Sequence, residues 1–309
     1  MNTFKYRLFG FDVLSDTPLY GVPAAEFESP DVILERQDSL WDESLVSSEG
    51  MVGMEAAYIY GEDFIKFYKV DTGFYRVSEG KRIAYSLKED CDPTNFYLTL
   101  MNFAFPRIII ERANLTVHGS VLSYNDKSVL ISGESGAGKS TMTTELINNG
   151  LGFMSDDVMR IGFNDKEEPV VYSSHPIRRL CRDTVEHYGF DPKKLKPVTL
   201  DERFKYFVDS SDVYEDRVLP TSVMFYLTIN DGDKPEIREI TGADKIMMLL
   251  NNFYRSEDYV RFGTQPQMYK LISKMGAALR IYEISRPREG MTIKDRAQMV
   301  MDVLKKDFQ

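Results

Sequence analysis

Cysteine is nearly absent from this chain of 309 residues: Cys91 and Cys181 stand alone and far apart. They provide no disulfide framework, and two reduced thiols fit a cytoplasmic protein. No stretch approaches 18 continuous apolar residues, so no membrane span is expected. The opening residues Met1 to Arg7 lack an apolar core, so no secretory signal is expected either. An excess of basic residues is also missing. The chain has 38 Lys and Arg against 48 Asp and Glu, a net charge of −10. That counts against nucleic acid as a partner, because phosphates demand basic surface. An acidic surface permits a basic peptide or protein partner, but it also serves simply for solubility. Internal repeats and low-complexity segments are absent. What remains is 43% hydrophobic and 28% charged, a globular composition in a chain long enough for two domains.

Short aromatic and β-branched runs dominate residues 1–90: Phe9–Leu14, Asp31–Glu35, Ala57–Tyr60, Phe64–Val70, Phe74–Val77 and Arg82–Leu87. Turn residues separate them, which predicts an antiparallel meander. The polar segment 36–50 reads as a loop, with Trp41 as a packing anchor. Asp92 and Pro93 then open a buried apolar helix as N-cap and first helical residue, which Pro106 interrupts. The domain boundary is placed near residue 90. Further along, Leu115–His118 and Gly119–Tyr124 read as strands. Arg178–Tyr188 reads as a helix, Asp191–Pro197 as a basic loop and Ser222–Ile229 as a buried strand. The segments 242–254, 264–276 and 292–306 read as helices, with a strand at Ala278–Ile284. The expected fold class is α/β: a β-rich N-terminal domain (1–90) followed by a second, α/β domain (91–309).

Chemistry concentrates in one stretch. Gly133, Glu134, Ser135, Gly136, Ala137, Gly138, Lys139 and Ser140 spell G-x-x-x-x-G-K-S/T. Glycines let successive backbone N–H groups turn inward onto phosphate oxygens, Lys139 adds a point charge, and Ser140 offers a hydroxyl to Mg²⁺. The apolar run Ser128–Ser132 before the motif reads as a buried strand. Thr141–Asn149 after it reads as a helix closed by Gly150. Residues 133–141 are therefore the candidate nucleotide-binding set, with phosphates at a helix N-terminus. Asp156 and Asp157 follow Lys139 by 17 residues. A phosphate-loop kinase needs one carboxylate opposite Ser140 for the metal and gains from another that accepts the acceptor's proton. His118 lies 15 residues before Gly133.

His118-Gly119, the loop, Gly150 and Asp156-Asp157 occur in the order and spacing of the catalytic core of the HPr kinase/phosphorylase family. Roughly residues 115–163 resemble that core, whose loop type is shared with phosphoenolpyruvate carboxykinases. General P-loop NTPases carry their acidic strand elsewhere. The resemblance implies an ATP- and Mg²⁺-dependent kinase of the HPr kinase/carboxykinase fold. Lys139 and residues 133–141 would hold ATP, Asp156 would be the catalytic base, and Asp157 would help Ser140 hold the metal. His118 would lie beside the transferring group. Family relatives assemble, so a homo-oligomer is allowed.

The family's further Glu-x-x-Gly-x-Gly segment is missing. Ser173–Asp183 stands in its place, which counts against HPr as substrate and against the reverse phosphorolysis. The β-rich front, the Pro-x-x-x-Leu region and Asp201–Lys205 resemble instead the divergent HPr-kinase-related proteins. Some of these phosphorylate precursor peptides of natural-product pathways, including lasso-peptide precursors. The implied partner is a peptide or small-protein acceptor presenting a serine hydroxyl. A small-molecule kinase, a carboxykinase and a non-catalytic nucleotide-binding regulator are the alternatives. Arg178, Arg179, Arg182, Arg203 and Lys205 are candidates for neutralising transition-state charge. His175 is a candidate substrate-loop residue, and His187 reads as surface.

Overall fold

Two mixed sheets and a shared helical segment organise the chain. The computed structural model describes residues 2–40, 56–198, 204–288 and 290–307, so Trp41 and Arg203 lie outside the described residues. The first sheet contains β1 (Phe4–Leu8), β2 (Phe11–Ser15), β3 (Val32–Arg36), β4 (Ala56–Tyr60), β5 (Phe64–Lys69), β6 (Gly73–Ser78) and β7 (Arg82–Leu87). Its order is β1-β2-β3-β7-β6-β5-β4. From β4 to β7 it is the expected antiparallel meander. β3 departs from the expectation, running parallel to both β2 and β7. Residues 16–31 carry the chain back across the sheet, which a tight hairpin turn cannot do.

One face of this sheet packs on the segment 93–111. Asp92 caps it as expected, its Oδ1 accepting from the Thr94 N–H at 2.7 Å. The helix Pro93–Thr99 passes into a π turn at Leu100–Ala104, and Phe105–Glu111 resumes as α-helix with Pro106 in its first turn. The wide turn accommodates the proline without ending the segment. Leu8, Phe11, Ile65, Phe67 and Tyr75 share a core with Phe96, Leu100, Phe105 and Ile108, and with Val158 and Ile177 from beyond the segment. Arg160 ties the front to the rest. Its guanidinium lies 3.8 Å from the ring centroids of both Phe11 and Tyr172, and donates to the Phe9 carbonyl at 2.7 Å. Gly10 allows this approach, because a Cβ there would fall 2.3 Å from Tyr172.

The second sheet begins with β8 (Leu115–His118), β9 (Ser120–Tyr124), β10 (Lys127–Gly133), β11 (Gly152–Ser155), β12 (Val158–Phe163) and β13 (Pro169–Tyr172). A small sheet of β14 (Ile177–Cys181), β15 (Lys196–Pro197) and β16 (Lys205–Asp209) follows. β17 (Val218–Asn230), β18 (Glu236–Ile240) and β19 (Arg280–Pro287) complete the second sheet. β10, β17 and β19 run parallel, with β10 buried from Ser128 to Gly133. The helices Lys139–Asn148 and Ile293–Asp307 cover one face through Met142, Leu146, Val300 and Leu304. Helices Gly242–Asn251 and Gln265–Ala278 cover the other through Leu249, Ile272 and Met275. No helix among the described residues is long and apolar enough to cross a membrane.

The helix expected over 178–188 is corrected. Ile177–Cys181 is β14, and only Arg182–His187 is helical. The strand wins because β16 pairs along its whole length and because Arg178 turns inward, its Nε donating to Ser210 Oγ at 2.7 Å. The expected helix 242–254 likewise stops at Asn251, since Phe253 bridges Val117 of β8.

Candidate active site

The phosphate-loop motif leaves the carboxyl end of β10, which runs parallel to β17 and antiparallel to β9, and strand carboxyl ends are where open α/β sheets place ligands. Gly133 has φ +146°, and a Cβ there would come within 2.3 Å of the Leu227 carbonyl oxygen, so no larger residue fits. Gly136 and Gly138 take φ +83° and +91°, conformations that glycine adopts without penalty. The helix beginning at Lys139 leaves the amides of its first turn without intrahelical partners, a ready anion site. Lys139 Nζ donates to the carbonyls of Gly133 at 2.9 Å and Glu134 at 3.0 Å, folding across the loop.

Behind the loop stands a residue with no sequence signal. Arg296 of the C-terminal helix is 1% exposed and donates to the carbonyls of Ala137 at 2.5 Å, Ile284 at 3.1 Å and Thr228 at 3.3 Å. It locks the loop to the ends of β17 and β19. Burial lowers its guanidinium to about 10, still charged at neutral pH.

Asp156 and Asp157 form the turn between β11 and β12, with Asp157 at φ +74°. Asp156 is 8% exposed. Its Oδ1 accepts from Ser120 Oγ at 2.9 Å and its Oδ2 from the Arg179 N–H at 3.0 Å. Each oxygen keeps a second lone pair for another donor. Asp157 is ion-paired with the Arg179 guanidinium. Asn102, from the π turn, sits between them with its amide group 3.2 Å from both Asp157 Oδ2 and Arg179.

His118 ends β8, opposite Val158. Its Nδ1 lies 2.9 Å from the Asp157 carbonyl oxygen. Only a protonated Nδ1 can bond there, which leaves Nε2 as an acceptor in the neutral ring. The ring keeps 42% of its surface yet sits within the cleft walls. Desolvation, then the nearby Lys139, lowers it toward about 4 and keeps it neutral.

One open cleft of about 1250 Å³ collects most of the expected residues. His118, Gly133, Ser135, Gly136, Gly138, Lys139, Ser140, Thr141, Asp156 and Asp157 all line it. Glu134 faces a neighbouring pocket instead, and Ala137 is buried in the core under the loop. Of the candidate cations, Arg179 reaches the aspartates and Lys205 lines the cleft. Arg178 is turned away to Ser210 and Thr144, and Arg182 pairs with Glu186 at the surface. His175 is buried, with Nδ1 2.7 Å from Tyr97 Oη, while His187 is exposed. Asn102 and Arg296 lie near the motifs in space only, whereas Ser120 follows His118-Gly119 directly in the chain.

Ser140 and Asp157 bring a hydroxyl and a carboxylate to the same cleft. These hard oxygens suit Mg²⁺, which is commonly held by one or two carboxylates with phosphates and water. Among the described residues no cluster of three or more His, Cys, Asp or Glu forms a closed metal cage.

Residues 112–181, spanning His118, the loop and both aspartates, match the family model described as the HPr Serine kinase C-terminal domain. A curated HPr kinase/phosphorylase from Neisseria meningitidis serogroup C is 25% identical over 169 residues, which is 50% of this chain and 52% of that protein. The chain therefore spans about half the length of this relative. The HPr(Ser) kinase/phosphatase from Coxiella burnetii aligns with 62% of this chain and 91% of its own, at 12% identity and a TM-score of 0.33.

Proposed function

We propose that this member of the HPr kinase-like family transfers the γ-phosphoryl group of ATP to a serine hydroxyl on a peptide or small protein. The observation that carries this reading is the single cleft in which the loop, Ser140, His118 and the two aspartates face one another. The loop amides and Lys139 hold the phosphates. Ser140 and Asp157 would hold Mg²⁺, which when bound would neutralise charge at those phosphates. Asp156, held by Ser120 and the Arg179 amide, accepts the proton of the attacking hydroxyl. The bond from the hydroxyl oxygen to phosphorus forms as the bond to the bridging oxygen of ADP breaks, and Arg179 balances the charge on the transferring group. Neutral His118 presents Nε2 to the same space.

In this reading residues 1–90 form an acceptor-side domain and residues 91–309 the kinase domain. Two free thiols, Cys91 and Cys181, fit a cytoplasmic enzyme. A natural-product precursor peptide, such as a lasso-peptide precursor, is one acceptor of this class. The test uses labelled ATP and a panel of serine peptides, comparing wild type with Asp156→Asn. A loss of transfer of about 10²–10⁴-fold at unchanged ATP affinity is expected. Equal transfer by the variant removes Asp156 as the base.

A further inference from the structure

Pro106 has no N–H to give to the carbonyl four residues back in its helix, that of Asn102. The π turn Leu100–Ala104 forms at this point. A partly buried carbonyl left without a donor is costly, and here two side chains supply one. Tyr254 Oη and Arg255 Nε each donate to the Asn102 carbonyl at 2.9 Å. Arg255 takes φ +56°, uncommon for a residue with a side chain, and its guanidinium lies 4.3 Å from the Phe103 ring centroid. Tyr254 is itself fixed. Its N–H donates to the Thr116 carbonyl of β8 at 2.9 Å, and its ring stacks on His118 with centroids 6.3 Å apart. The missing N–H of one proline thus ties the π turn to the strand that carries His118.

This anchoring sets the place of the Asn102 side chain. Its amide lies 3.2 Å from Asp157 Oδ2 and 3.2 Å from the Arg179 guanidinium. Between an anion and a cation the amide has one satisfied orientation: its NH₂ donates to the carboxylate and its oxygen accepts from the guanidinium. Asp157 and Arg179 also pair directly with each other. In the phosphotransfer reading the two have different tasks, Asp157 at the metal and Arg179 at the transferring group, so they cannot stay wholly engaged with each other. We propose that Asn102 is the positioning residue of this pair. Neutral and bonded to both, it keeps the carboxylate and the guanidinium aimed when their direct contact parts. The inference rests on the phosphotransfer reading for the two tasks, but the hold on Asp157 can be read by binding alone.

The experiment compares wild type, Asn102→Leu, Arg179→Met and the double variant of the full chain. Two quantities are measured: steady-state transfer from ATP to the serine peptides, and calorimetric ADP affinity with Mg²⁺ or with EDTA. Asn102→Leu is close in volume but lacks the amide. It is expected to lower kcat by about 10–100-fold with the KM for ATP changed less than about threefold. In the Arg179→Met background the same substitution should cost at least about threefold less than in wild type, because one of the two positioned groups is gone. The gain in ADP affinity that Mg²⁺ brings should shrink at least about threefold in Asn102→Leu, with the affinity in EDTA unchanged. Asn102→Gln, which keeps the amide on a longer arm, should recover part of kcat. Pro106→Ala returns a competing donor to the Asn102 carbonyl and leaves every side chain of the cleft in place. It should lower kcat with the thermal midpoint unchanged or raised, and it reads the same role if Asn102→Leu does not fold. Wild-type kcat in Asn102→Leu, a loss that multiplies in full with that of Arg179→Met, or an unchanged Mg²⁺ gain overturns the proposal and leaves the kinase reading standing. A wild type that phosphorylates no peptide, with a Mg²⁺ gain that still shrinks in Asn102→Leu, keeps the hold on Asp157 and removes the kinase reading.

Discussion

Arg179 holds Asp156 by its backbone, the N–H donating to Oδ2 at 3.0 Å, while its guanidinium pairs with Asp157. The backbone bond survives any side-chain substitution, so the guanidinium can be tested separately. Arg179→Met is expected to lower kcat by about 10²–10³-fold with the KM for ATP changed less than about threefold. Arg179→Lys should recover only part of this, because an ammonium cannot reproduce the planar fork. Steady-state transfer kinetics decide. Wild-type kcat in both variants removes Arg179 from charge stabilisation.

Lys139 spans the loop by bonding to the Gly133 and Glu134 carbonyls. It can turn from them to phosphate oxygens without any change in the backbone. Lys139→Ala is expected to weaken ATP binding by about 10–100-fold in calorimetry, the loss of one charge-assisted contact. Unchanged affinity would contradict the phosphate-cradle assignment.

The loop and the aspartate pair were legible in the sequence because each is a local pattern whose residues act as neighbours in the chain. The cap at Asp92 and the strands of the meander were legible for the same reason. The misread helix at 178–188 shows where local pattern fails. Ile177–Cys181 carries no period of its own, and its state is set by pairing with β16, whose residues lie some thirty positions away. The parallel placement of β3 depends in the same way on a long connection. Asn102 and Arg296 reach the site from distant segments, and nothing in their own surroundings marks them. Gly133, by contrast, announces its role, because only glycine tolerates the approach of Leu227.

Arg296 couples the C-terminal helix to the loop through three carbonyls. Arg296→Met leaves all three without that donor in a buried place. A stability loss of about 3–5 kcal/mol is expected, lowering the thermal midpoint by about 5–10 °C. ATP affinity should fall by more than about tenfold, since the Ala137 carbonyl no longer fixes the loop. Arg296→Lys should restore part of the midpoint. Its KM for ATP reads out the loop separately from the fold: a midpoint loss with the ATP KM unchanged in both variants would limit Arg296 to a structural role.

His175 is buried behind Asp156 beside Tyr97, and desolvation lowers its imidazole from 6.5 to about 4. Below pH 6.5 the unfolded chain takes up a proton at this position that the folded chain refuses. Stability is therefore lost as the pH falls from 6.5 toward 4. Glu111 works in the opposite direction, because burial raises its carboxyl to about 7 and its stabilising effect fades as the pH rises through that value. The raw pH dependence of the wild type mixes the two. Comparison with His175→Gln, which keeps a hydrogen-bond partner for Tyr97 and leaves Glu111 in place, isolates the histidine. The variant is expected to be less stable than wild type at pH 7, and the gap should narrow by about 2 kcal/mol at pH 5 in urea unfolding. A gap that stays constant between the two pH values means that His175 is not held neutral by the fold.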